Sequence, residues 1–462
     1  MSQIVNFPNS MNLGQVKSSA LDDMRGEHVQ YRSQNQSYGA RDTIVIPIPT
    51  GAKGTYLHGQ DSFVSMRFKV DFGALAVGSL YLDGCGYSLF KNARIRHGSN
   101  LVSNQRNANR LWNALHDVQV SSSERESSQI NLGIASDIQA SRCNNLYGTA
   151  VDTGEWVSLA FTLPMPIVGS LTEKATPLGW LNTSQLYLEL DVDDLNKIFT
   201  TRRSNDTIIG TAGANTTANP SITGITIEDV VYNAKISRIG SQYDDLLIQS
   251  LGDVIAIPSI DFAGDEKQIS ATATGLNDNF SFPYSSLKSF MWWMTNSTTA
   301  NGIPTAFNLG SAITQRQSGD LKEFNLALNG SAFPSNPIIC DFNGGVSSRG
   351  GTNGANALQH LYRCFNLNSS TNSGGVLSYD IYNNATTSYA SDASTKRFVA
   401  GIDLDRGDGN GDKFYQGTNT INQTVALRAV FNTAVGEAQN VYAFAMYDCA
   451  FVIQDGLMSV QK

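Results

Sequence analysis

Charge is scarce in this chain, and residues arranged for chemistry are scarcer. Only 16% of the 462 residues are Asp, Glu, Lys or Arg, and the formal net charge is -8. A net-negative surface does not attract nucleic acid non-specifically. A local basic arm is absent as well. From Met1 to Asp42, Lys17, Arg25, Arg32 and Arg41 are offset by Asp22, Asp23, Glu27 and Asp42, so that segment does not neutralise phosphates. Cysteine is sparse: residues 85, 143, 340, 364 and 449 are scattered and form no CxxC pair. That argues against a disulfide framework or a zinc site and for reduced thiols in a cytoplasmic folding compartment. No apolar run approaches the ~18 residues of a membrane helix. The opening MSQIVNFPNSMNLG has neither a charged n-region nor an apolar stretch, so no secretory signal is expected. P-loop, GxGxxG, HExxH and GxSxG patterns are missing where chemistry would need them, and His28, His58, His116 and His360 show no metal-ligand spacing. An enzyme is not expected, and no cofactor is.

What is present is turn chemistry and alternation. Gly, Ser, Thr and Asn are abundant, which favours strands and loops over helices. The length exceeds one ordinary core, since domains run to roughly 100–200 residues. After a polar stretch to about residue 40, TIVIPIPT (43–50) reads as a strand. In SFVSMRFKVDF (62–72), Val64, Met66, Phe68, Val70 and Phe72 alternate with polar residues. That period of two marks a strand with one buried face. YSLFKNARIRHG (87–98) reads the same way, with Leu89, Ala93, Ile95 and His97 on one row. Residues 103–118 change period, placing Leu111, Trp112 and Leu115 on one helical face. A polar loop follows (120–150), then strands at 156–164, 185–192 and 225–240.

The second half repeats this order. A helix is predicted at SQYDDLLIQSLG (241–252), with Ser241 as N-cap and Gly252 to end it. QISATAT (268–274), LKSFMWWMT (287–295) and EFNLALNG (323–330) read as strands. ANALQHLYRCF (355–365) is helical, and a polar loop spans about 366–395. Strands at 397–405, 424–431 and 440–454 close the chain. Each half therefore reads as strands, helix, long loop and three strands. The expectation is a duplicated all-β unit with a sandwich or jelly roll in each half. Its divisions are an N-terminal arm (1–40), a first unit (41–240), a linker helix (241–252) and a second unit (253–462).

Three motifs invite a chemical reading. Cys85 lies in Asp-Gly-Cys-Gly-Tyr, with His97 twelve positions on. Twelve extended residues span roughly 40 Å, too far for a nucleophile and its base unless the chain folds back. A small buried thiol is the simpler reading. In IDLDRGDGNGDKF (402–414), Asp408, Asn410 and Asp412 have a D-x-N-x-D spacing that could bring oxygens to one calcium ion. Lys413 stands where an EF-hand needs Gly, and Asn419 where it needs Glu, so a polar loop is preferred. The tripeptide Arg406-Gly407-Asp408 is of integrin type, but three letters carry little information. Trp292 and Trp293 lie within a strand, and adjacent strand residues face opposite sides. One is expected in the core and the other against a second surface, either the other half or a neighbouring subunit. An aromatic stacking platform would need an open groove. Sequons at Asn296 and Asn329 are expected by chance in so Asn-, Ser- and Thr-rich a chain.

Three stretches carry a family resemblance. LDGCGYSLFKNARIRHGSNLV (82–102) resembles the segment after the second strand of a first barrel. VVYNAKISRIGSQYDDLLIQSLG (230–252) resembles the last strand of that barrel running into a linker helix. FVAGIDLDR (398–406) and AFAMYDCAFVIQDG (443–456) resemble the closing strands of a second. The family is the double jelly-roll major capsid proteins, of adenovirus hexon, tailless-phage and large eukaryotic DNA virus type. The resemblance implies two consecutive eight-stranded jelly-roll barrels with short helices. It also implies homotrimeric, pseudo-hexameric capsomers that tile an icosahedral shell in the virion, assembled inside the host cell. The implied partners are the chain itself, neighbouring capsomers, and minor capsid or penton proteins; the lack of a basic arm leads to the separate expectation that this chain does not condense nucleic acid. The alternative is a tandem β-sandwich that binds glycans or serves surface attachment.

Overall fold

The computed structural model describes residues 25–74, 79–120, 127–133, 156–202, 221–240, 245, 249, 252, 254–296, 313, 316–319, 321–340, 354–365, 398–405, 416–436 and 438–462. In the first half the principal strands are β1 (Arg25–Arg32), β2 (Thr43–Ile48), β3 (Thr55–Ala74), β4 (Phe90–His97) and β5 (Asn100–Gln105). Helix α1 (Ala108–Gln119) follows, then β6 (Val157–Phe161), β7 (Leu186–Val192) and β8 (Ser221–Arg238). In the second half they are β9 (Val254–Ile269), β10 (Gly275–Phe280), β11 (Leu287–Asn296), β12 (Leu321–Leu328) and β13 (Ser331–Ile339). Helix α2 (Gly354–Arg363) follows, then β14 (Ala400–Asp403), β15 (Val425–Phe431), β16 (Gln439–Gln454) and a terminal strand, β17 (Leu457–Gln461).

The strands pair in the order β1-β8-β3-β6 and β2-β7-β4-β5 in the first half. In the second they pair as β9-β16-β11-β14 and β10-β15-β12-β13, with β17 added beside β16. Each strand of the second set occupies the place of the strand eight positions earlier in the first. Every pairing is antiparallel. This is the jelly-roll topology, twice. In both modules the helix occupies the same place, between the fifth and sixth strands.

Alternation built these sheets. In β7, Leu186, Leu188, Leu190 and Val192 are buried while the residues between them are partly exposed. They join Ile44, Ile46 and Ile48 of β2 and Val64, Met66 and Phe68 of β3 in one apolar cluster that continues through the second module. Fully burying such a side chain contributes roughly 1.5–3 kcal/mol. On β13, Pro334 and Pro337 lie in an edge strand, where the missing amide hydrogens break no ladder. No helix among the described residues is long and apolar enough to cross a membrane.

Several expectations need correction. The segment assigned to an N-terminal arm holds β1, which pairs with β8 from Arg25↔Arg238 to Arg32↔Val231, and Ser37–Tyr38 adds a short pairing to β8. Polar residues suit this edge because its burial alternates only between exposed and half-buried. QISATAT is not a strand: β9 ends at Ile269 and a turn follows. The helix predicted from residue 103 starts at Ala108, and residues 103–105 finish β5. Of the linker helix at 241–252, only Asp245, Gln249 and Gly252 are described, the first two as helical.

Candidate functional site

An assembly of buried polar groups lies between the two modules. It joins the β5–α1 corner of the first to the β9-β16-β11-β14 sheet of the second. Asp261 of β9 is 1% exposed. Its carboxylate accepts hydrogen bonds from Ser103 Oγ at 2.8 Å and Gln105 Nε2 at 2.8 Å, both on β5. Tyr447 Oη, on neighbouring β16, donates a third at 3.1 Å, and the Phe262 amide donates another at 2.8 Å. Gln105 Oε1 in turn accepts the Trp112 indole N–H of α1 at 2.8 Å. Burial raises the Asp261 pKa, and the hydrogen bonds from Gln105, Ser103 and the Phe262 amide offset only part of that rise.

A second link is ionic. Arg316 pairs with Asp117 of α1, and the two side chains are 0% and 3% exposed. The Arg316 guanidinium also lies 5.8 Å from the Trp293 ring centroid. Beside it, Asp83 accepts the Ile313 amide at 2.8 Å. Further along, Arg110 of α1 stacks over Tyr442 of β16 at 4.1 Å. Gly264 is required here by close approach: a Cβ would sit 2.7 Å from the Arg106 carbonyl oxygen. Thr172 bonds Ser259 at 2.7 Å.

The terminal hairpin completes the seam. Asp455 and Gly456 both take positive φ, at 52° and 76°, the backbone of an Asp-Gly hairpin turn. Thr183 Oγ1 donates to the Gly456 carbonyl at 2.8 Å. The Met458 amide on β17 donates to His97 Nδ1 at 3.2 Å, which leaves Nε2 to carry the proton and donate to the Ser184 carbonyl at 2.8 Å. The neutral tautomer is therefore the one that fits, and burial lowers the His97 pKa accordingly.

These placements decide the sequence motifs. His97 spends both ring nitrogens on backbone groups, so it is no base for a thiol. Cys85 is buried and donates to Asn113 Oδ1 at 3.2 Å. Burial raises the pKa of Cys340, Cys364 and Cys449, which makes them poor nucleophiles. Trp292 meets Phe324 and Phe398 edge-on in the second core, while Trp293 stacks on Phe444 at the seam. One tryptophan thus serves the core and the other the second surface, as strand geometry required. Asp408, Asn410, Asp412 and the Arg406-Gly407-Asp408 tripeptide lie outside the described residues. Among the described residues no group of three or more His, Cys, Asp or Glu could hold a metal ion. Sequence reasoning missed Asp261 and Arg316. The signal for Asp261 was a lone carboxylate in the apolar run IAIPSIDFAG.

No family model matches the sequence, and no curated protein matches it. Solved structures do match. The crystal structure of PBCV-1 VP54, fitted into a reconstruction of the virophage Sputnik, aligns with a TM-score of 0.57. It covers 95% of this chain and 97% of that one at 13% identity. The Sputnik virophage structure aligns at 0.57, covering 100% and 93% at 12% identity. The Faustovirus major capsid protein aligns at 0.55, covering 93% and 90% at 9% identity. The shared feature is the fold: this chain is a double jelly roll over nearly its whole length.

Proposed function

We propose that this chain is a viral major capsid protein, a structural subunit of the virion that works by packing and carries out no reaction. One observation carries the reading: the whole chain, both modules in order, aligns with solved capsid structures from end to end. The seam supports it physically. Buried charges and hydrogen bonds hold the modules at one relative position, as a shell tile requires. Two like modules per chain, taken three times, give a near-hexagonal capsomer, and further capsomers, with minor or penton proteins at the vertices, complete an icosahedral shell. The glycan-binding alternative loses its platform, since Trp292 and Trp293 are both fully buried.

The test is the state of the purified full-length protein. The expected species is a trimer of the 49.9 kDa chain that forms shells or sheets at higher concentration. A stable monomer that never associates, or one that binds sugars, would overturn the reading.

A further inference from the structure

On the first module's outward sheet, two histidines stand on either side of one lysine. The strand register sets His28 of β1 opposite Lys235 of β8, and Lys235 opposite His58 of β3. Residues opposite one another across antiparallel strands share a face, so the three bases form one row across three strands. Asp61 supplies the carboxylate of that row and accepts from Lys235 Nζ at 2.6 Å. The Lys235 bond and charge hold the Asp61 carboxyl below its ordinary range, with smaller contributions from His58 and His28. His58 Nε2 also shares a 2.7 Å hydrogen bond with Ser237 Oγ.

The strand that carries His28 is lightly held. Among the described residues β1 lies at the edge of its sheet and pairs with β8. Val29 and Tyr31 are its residues that pack against the core, and both are half-buried, while Arg25, His28, Gln30 and Arg32 are exposed. Gln30 Nε2 donates to Asn233 at 3.1 Å. Arg25 lies opposite Arg238, and Glu27 relieves that pair at 3.3 Å from Arg238. β2, which lies near β1, carries no charge in TIVIPI. Further along β8, Glu228 and Asp229 are engaged by Arg67. With neutral imidazoles the edge holds four cations, Arg25, Arg32, Lys235 and Arg238, against two carboxylates, Glu27 and Asp61. Charging His28 and His58 makes that six against two.

We propose that β1 is an acid-sensitive strap: as pH falls through the range where imidazoles gain a proton, the row His28–Lys235–His58 becomes wholly cationic and loosens β1 from β8 ahead of the rest of the sheet. Like charges placed opposite one another across strands oppose pairing, and one carboxylate does not offset three cations. His28 leaves with β1; Lys235 and His58 are the charges it leaves behind. Burial and then Lys235 hold His58 below the ordinary 6.5, and Asp61 restores only part of that. The stability contributed by neutral His58 is therefore present above about 6.5 and is lost as pH falls. Asp61 stays ionised across that window, since its own carboxyl is held low. What the loosened strap uncovers is the β8 edge at residues 231–238, a row of backbone donors and acceptors open to another strand.

Hydrogen exchange of the full-length protein tests it, with protection factors taken against the intrinsic exchange rate at each pH. From about pH 7.5 to about pH 5, where histidine takes its proton, protection in Arg25–Arg32 of the wild type is expected to fall about three- to tenfold. Protection at residues 64–70 of β3, in the middle of the same sheet, is expected to hold. In His28→Gln most of the fall at β1 is expected to vanish, and in Lys235→Gln, which removes the centre of the row, it is expected to shrink as well. His28 is exposed, so His28→Gln keeps the test decisive where Lys235→Gln fails to fold. A wild-type β1 whose protection is indifferent to pH, or absent already at neutral pH, overturns the proposal. So does a His28→Gln chain that loses as much protection as the wild type, or a loss that reaches residues 64–70 in equal measure.

Discussion

The strands β8 and β16 hold the same position in their modules, and they are written differently. In β8, ITIEDVVYNAKISR alternates, and its burial alternates along much of its length. In β16, NVYAFAMYDCAFVI is an almost unbroken apolar run, and nearly every residue is buried. A strand covered on one face alternates and a strand covered on both does not. The difference records that the second module's sheet lies under the first module, while the first module's sheet faces outward. The same contrast marks the charges. On the outward sheet Arg67 meets Glu228 at 3.1 Å and Asp229 at 2.8 Å with its side chain 42% exposed. At the seam Arg316 and Asp117 are sealed from water. The fold is common to both halves, and the work is divided by what lies on its outer faces.

The sharpest way to break this comparison is to cut one ion pair at the seam and one on the outward sheet. Asp117→Ala leaves the Arg316 charge buried at the seam, and denaturant melts are expected to show a loss of ~3–5 kcal/mol. Glu228→Ala on the outward sheet is expected to cost less than ~1 kcal/mol, because exposed pairs contribute little. Equal losses would remove the distinction between the seam and the outward sheet. A loss of a size similar to that at Asp117 is expected at Asp261. Asp261→Ala strips an acceptor from Ser103, Gln105 and Tyr447, and each buried donor left unpaired costs ~1–3 kcal/mol before water or repacking relieves it.

A pH effect of smaller size is expected from His97. Burial holds its folded pKa below the ordinary 6.5, so below that pH the unfolded chain takes up a proton the folded chain resists. Its contribution is present above about 6.5 and is lost as pH falls. Protonation also sets an N–H against the Met458 amide. Protection factors in Leu457–Gln461, taken against the intrinsic exchange rate at each pH, are expected to fall on acidification in the wild type, and less so in His97→Phe. His58 and His360 are also lowered by burial, so the difference between the two proteins is the relevant quantity. The smallest effect is expected at Trp156. Arg67 and Lys69 lie 4.5 and 5.4 Å from its ring, and removing the ring from the isolated monomer is expected to cost ~0.5–1 kcal/mol.

Much of the fold was legible because period-two alternation is a local property. β3, β7 and β15 were readable from their own letters, and so was the duplication. What escaped detection lacked that signal. β9 opens on a short apolar run broken by Pro258 and closes on the charged Asp265, Glu266 and Lys267, β13 carries two prolines, and β1 is polar because it is an edge. The Asp-Gly turn before β17 is a recognised hairpin signal, but its strand is short and half exposed. The seam itself was nearly invisible. Its members are single polar residues brought together from distant parts of the chain, and a lone Asp or Arg does not announce its partner. Only the Trp292–Trp293 pair pointed to a second surface, because strand geometry alone forbids both side chains from entering one core.

The central claim is that two like modules, locked together, build a larger ring through their surfaces. Imaging of single particles of the purified wild-type protein tests it most directly. The account predicts particles with six lobes contributed by three chains, each chain supplying two adjacent lobes. Isolated two-lobed particles, or pairs related by a two-fold axis, would contradict it.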